Sequence, residues 1–171
     1  MRFLLSPAVV GSLLLATLST IADYIWFLNI PTHQVVSGLV HGATLFAALG
    51  LYLGWRKGQS AAGLAGGLLS GMIAALSFYA LAPFGGYNVM LVSWLLLWIF
   101  LAALQSYLDG RLDVPKAIGR GVITAVVAGV GFAIVLYELY RGWPPQTFSF
   151  FAHFIWWAVA YEAGLVVLLK R

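Results

Sequence analysis

Apolar residues in this chain come in unbroken runs, not at alternating or three-to-four spacing. Each run is about 20 residues long, enough to cross ~30 Å of hydrocarbon as a helix rising about 1.5 Å per residue. Six such runs occur, at 7–29, 35–55, 60–82, 88–108, 117–140 and 147–169. A helix that is apolar all round has no face to offer water. The pattern therefore predicts an all-α fold, one integral membrane domain over residues 1–171 built as a six-transmembrane-helix bundle with short loops. The breaks carry turn residues: Asn29-Ile30-Pro31-Thr32, Arg56-Lys57-Gly58-Gln59, Pro83-Phe84-Gly85-Gly86, Asp109-Gly110-Arg111 and Arg141-Gly142-Trp143-Pro144-Pro145. Connections this short force antiparallel neighbours and leave no room for a soluble domain. The break Pro83-Phe84-Gly85-Gly86 is placed to end the third helix early.

Lysine and arginine close to helix ends are retained on the cytoplasmic side. With six spans, Arg2, Arg56, Lys57, Arg111, Lys116, Arg120, Lys170 and Arg171 share one side and Arg141 stands on the other. This bias predicts a multi-pass protein of the cell (inner) membrane with both termini cytoplasmic. Residues 1–22 also have the outline of a cleavable signal peptide, with Thr20-Ile21-Ala22 before Asp23, and cleavage would leave five spans. The apolar run continues through Tyr24-Ile25-Trp26-Phe27-Leu28, which favours a retained first span.

Composition agrees with the pattern: 63% of residues are hydrophobic and mean hydropathy is +0.97, more than one soluble core of this length could hide. Only 8% are charged, which excludes a nucleic-acid partner and leaves membrane lipid as the principal surrounding. Without cysteine there are no disulfides, thiolate metal sites or Cys nucleophiles. A glycine-rich phosphate loop, a Gly-x-Ser-x-Gly elbow and paired haem histidines are all missing, so no cofactor is expected and a non-catalytic protein is favoured. An acid–base pair drawn from two helices would leave no such signature.

Lipid gives helices no hydrophobic reason to associate, so small residues mark where backbones approach closely. Gly63, Gly67 and Gly71 recur at i+4 and Ala75 continues the row; Gly38 and Gly42, and Gly121, Ala125 and Gly129, repeat it less fully. The row on the third helix suits bundle packing within one chain, or a homo-oligomer seam.

Ionisable residues at membrane depth are costly and usually face a cavity, a partner or water. Glu162 lies about 12 Å of helix before Lys170. It fits either a neutral acid bonded to another helix or a proton-coupling or ligand-anchoring group. Asp23, His33, His41, Glu138 and His153 fall at comparable depth towards the extracytoplasmic side. Three imidazoles with carboxylates suit a zinc-like ion, although no His-x-x-x-His pair shares a helix. His41 and His153 suit a polar pocket better. Tyr24, Trp26, Trp55, Tyr87, Tyr107, Tyr137, Tyr140 and Trp143 sit where aromatic belts anchor helices. Phe150, Phe151, His153, Phe154, Trp156 and Trp157 form an aromatic wall suited to core packing or to a flat or lipid-like ligand.

The leading functional reading is a non-catalytic protein that binds a lipid-like or small amphipathic molecule in an intramembrane pocket lined by His41, His153, Trp157, Tyr161 and Glu162. A small carrier, or the substrate-binding component of a transporter, with Glu162 taking up protons, is the second. An intramembrane enzyme using the extracytoplasmic histidines and acids is the third.

The layout also resembles bacterial relatives of the insulin-induced-gene (Insig) proteins. The likeness rests on six short-looped spans, Asn29-Ile30-Pro31 after the first and Leu108-Asp109-Gly110-Arg111 after the fourth. It extends to Gly119–Gly121 entering the fifth, and Tyr137–Tyr140 before Pro144-Pro145-Gln146-Thr147-Phe148. Gln34-Val35-Val36-Ser37 stands where that family's second helix opens with Trp-Trp-x-Pro-Pro. The resemblance implies a sterol or lipid cavity walled by the first, third, fourth and fifth or sixth helices, and it implies no particular binding residue.

Overall fold

The computed structural model describes residues 6–140 and 149–170, without the side chains of 29–34, 87, 136 and 138–140. The elements are α1 (Pro7–Trp55), α2 (Ser60–Gly85), a 3-10 turn (Gly86–Val89), α3 (Met90–Leu108), α4 (Val114–Tyr140) and α5 (Phe150–Leu168). They supply six helical segments long and apolar enough to cross a membrane. Every described regular element is helical, and the protein is an integral, multi-pass membrane protein.

α1 holds two of the six spans, Pro7–Leu28 and Val35–Trp55. A straight helix of its 49 residues would be about 73 Å long. Instead the Tyr52 hydroxyl donates to the Pro7 carbonyl and Asp23 meets His41, so the second limb runs back along the first. The break expected at Asn29–Thr32 is thus a reversal of direction within backbone that keeps its helical pattern.

Two further boundaries differ from expectation. α2 runs through Pro83 and ends at Gly85. Pro83 has no N–H and forfeits its i→i−4 bond, yet the helix continues to Gly85, and it is Gly86, at φ 57°, that turns the chain. α4 begins at Val114, where Pro115 sits at the second position and Asp113 Oδ1 accepts from the Lys116 N–H at 3.2 Å. A proline in the first turn and an aspartate cap are strong helix starts.

The Arg56–Gln59 and Asp109–Arg111 turns close the same way. Gly58 (φ 68°) and Gly110 (φ 69°) adopt the left-handed conformation. Their amides bond the Trp55 and Tyr107 carbonyls, while the next amides, of Gln59 and Arg111, reach back to Gly54 and Ser106. Lys57 then pairs with Asp109, and Gln59 Nε2 donates to the Leu108 carbonyl at 3.0 Å. Both turns are latched together at one end of the bundle.

The spans form a ring, each packed on its neighbour in sequence, with α5 returning to α1. The second limb of α1 meets α2 through backbone. A Cβ on Gly50 would stand 2.6 Å from Gly67 Cα, and one on Gly63 would stand 2.6 Å from Gly54 Cα. The row Gly63, Gly67, Gly71 is buried there, against the chain's own second span. Trp98 of α3 fills the centre, fully buried, under Gly164 of α5 where a Cβ would strike its ring. The Gly121 row lets α4 approach the α3 backbone at Ile99, and Trp94 Nε1 donates to the Ala125 carbonyl at 3.0 Å.

Candidate functional site

The polar chemistry of the bundle is concentrated where the first limb of α1 faces α5. Ser12, Ser19 and Asp23 are spaced so that helical periodicity brings them to one side of the limb. Each meets a different partner. Ser12 Oγ donates to Glu162 Oε2 at 3.0 Å, Ser19 Oγ and the Tyr161 hydroxyl are 2.8 Å apart, and Trp157 Nε1 donates to Asp23 Oδ2 at 2.5 Å. The other Asp23 oxygen stands 3.1 Å from His41 Nε2 on the second limb, so this carboxylate joins three spans. His41 Nδ1 is buried and has no hydrogen-bond partner among the described residues, with the Trp26 ring centroid 6.0 Å away. Partly burying a carboxylate is tolerable when each oxygen has a polar partner, as here.

Four of the five residues expected to line a ligand pocket belong to this seam. Trp157 and Tyr161 stack with centroids 5.3 Å apart, His41 reaches them through Asp23, and Glu162 sits beside Tyr161 on Ser12. His153 stands apart: its Nδ1 is 2.9 Å from the Ser149 carbonyl and its ring packs on Trp156 at 4.1 Å. The aromatic wall is largely spent on packing. Trp156 and Trp157 meet Phe132 at 5.4 and 5.9 Å, Phe150 meets Tyr24 at 4.8 Å, and Phe151 faces outward.

Of the candidate metal ligands, Asp23 and His41 are adjacent, whereas the side chains of His33 and Glu138 lie outside the described residues. Among the described residues no group of three or more His, Cys, Asp or Glu could hold a metal ion.

An open cleft of about 340 Å³ lies elsewhere, between the two limbs of α1 and the start of α2. Leu14, Leu15, Leu18, Ala48 and Leu51 form its walls, with Tyr52, Trp55 and Ser60 towards the latched turns. None of the five expected ligand residues lines it. Leu14, Leu18, Leu51 and Trp55 are substantially exposed on the bundle's outer surface. Sequence reasoning missed the cleft because its leucines look like any lipid-facing leucine. Only the α1 reversal places 14–18 opposite 48–55.

No family model matches this chain, and no curated protein or solved structure is significantly similar to it.

Proposed function

We propose that the protein binds one lipid-like molecule in the cleft between the two limbs of α1, without transforming it. The observation that carries this reading is the cleft itself: an outward-facing concavity walled by leucine and alanine. At one end stand a tyrosine, a tryptophan and a serine, residue types suited to the headgroup level. A ligand with an apolar tail and a polar head matches that gradient. The Insig-like layout points to the same class of ligand. The proposed orientation has both termini cytoplasmic, supported by the gathering of Arg56, Lys57, Arg111, Lys116, Arg120 and Lys170 on one side of the chain's topology.

The test is native mass spectrometry of the protein released gently from lipid, comparing wild type with Leu18→Trp and Leu51→Trp, which fill the cleft from opposite walls. A lipid retained at about one per chain and lost in both variants supports the reading. Retention unchanged in both, with the variants still monodisperse, overturns it.

The seam favours a second reading, a small proton-coupled carrier. Glu162 and Asp23 place two carboxylates along one α1–α5 interface, with hydroxyl groups between them. Substrate uptake that depends on pH and is lost in Glu162→Gln would establish it, and uptake indifferent to pH and to that change would remove it.

A further inference from the structure

We infer that the cleft selects an anionic phospholipid, and that Arg56 supplies the selection by binding the headgroup phosphate; this rests on the cleft holding a lipid chain. Trp55 and Ser60 both line the cleft, so the residues of the turn 56–59 that joins them stand at one end of it. Two of them are cationic. Lys57 is already neutralised by Asp109, whose position is fixed in turn by Gln105 Nε2 at 3.2 Å. Arg56 is exposed, and among the described residues no carboxylate lies within ion-pair distance of it.

A guanidinium suits this task. Its planar fork of donors fits two phosphate oxygens at once and is more weakly hydrated than an ammonium. The leucine walls accept an acyl chain, and the charge at that end sets the sign of the headgroup. A zwitterionic lipid offers the same phosphate, but with a cation of its own beside it. It gains less from Arg56, which makes the difference between the two lipid classes the quantity to measure.

The full chain is placed in nanodiscs holding equal amounts of phosphatidylglycerol and phosphatidylcholine with identical acyl chains, then released for native mass spectrometry. Wild type is expected to retain phosphatidylglycerol over phosphatidylcholine by about fivefold, the worth of one cation near an anionic headgroup. Arg56→Gln should bring the ratio to that of the nanodisc while total occupancy persists, and Arg56→Lys should keep part of the preference. Arg56 is a surface position, so these variants do not threaten the fold. Retention without preference in wild type, together with loss of lipid in Leu18→Trp, overturns the inference and leaves the cleft reading standing. A preference that survives Leu18→Trp or Arg56→Gln overturns the inference too, by placing selection on the general basic surface.

Discussion

Asp23 Oδ1 lies 3.1 Å from His41 Nε2 across the reversal of α1, and the same carboxylate takes the Trp157 indole N–H from α5. One side chain thus ties the first, second and sixth spans. Interhelical hydrogen bonds in membranes are worth about 0.6 kcal/mol on average and up to ~1.7. Asp23→Ala should therefore cost about 1–3 kcal/mol, more than His41→Ala or Trp157→Phe. The two changes Asp23→Ala and His41→Ala should be non-additive when unfolding is followed in detergent. Strict additivity would show that the pair is not coupled.

Ser19 and Tyr161 set up a different comparison. Both side chains are almost wholly buried, and their hydroxyls are 2.8 Å apart. Tyr161→Phe strands the Ser19 hydroxyl and should cost about 1–3 kcal/mol. Adding Ser19→Ala should restore part of the loss, because an absent polar group needs no partner. The same unfolding assay reads both, and a double variant weaker than the sum of the singles would count against the bond.

Glycine positions divide sharply. A Cβ at Gly67 would run into the Phe46 carbonyl and the Gly50 backbone, whereas one at Gly119 meets nothing within 4 Å. Gly67→Val should separate α1 from α2 and cost about 3 kcal/mol or more, beyond the usual range for overpacking because the obstacle is backbone. Gly119→Ala should be neutral or stabilising by up to about 1 kcal/mol through helix propensity. Thermal unfolding and size-exclusion profiles of the two variants provide the check.

Asp113 caps α4 outside the membrane. The Lys116 side chain, and then its amide, holds the Asp113 carboxyl below the usual carboxylate range. A depressed folded-state pKa means that the contribution of the cap is complete above the ordinary aspartate value and is lost as pH falls through the depressed one. Hydrogen exchange at the first amides of α4 should speed up only in that more acidic window. In Asp113→Asn the step should vanish.

Much of this architecture was legible in the chain because its signal is length. A run such as 90–108 needs no partner to declare itself a span, and the glycine row of α2 declared a close approach. What it approaches was not legible, since Gly42, Gly50 and Gly54 belong to another run and only folding sets them opposite. Ser12 and Ser19 passed unnoticed as stray hydroxyls in an apolar stretch. Their spacing with Asp23 puts all three on one face, a signal that helical periodicity could have found. The cleft left no trace at all, being made of ordinary leucines brought together by a turn of direction at 29–34. That region was read as a plain break, because Pro31 and Asn29 look like loop residues in any context.

The ring of spans also implies an order of events during synthesis. Each span up to α4 meets its neighbour as soon as that neighbour is made, so the glycine contact of α1 with α2 can form early. Ser12, Ser19 and Asp23 wait longer for three of their partners: Glu162, Tyr161 and Trp157 all belong to α5, made after the other five spans. Until α5 arrives, Asp23 holds His41 but not Trp157, Ser12 holds the Val9 carbonyl but not Glu162, and Ser19 waits for the Tyr161 hydroxyl; a chain cut short before Phe150 would leave them so permanently. α5 therefore completes the polar seam, and a surveillance protease that recognises polar groups within the bilayer would tell copies that lack it from copies that have it.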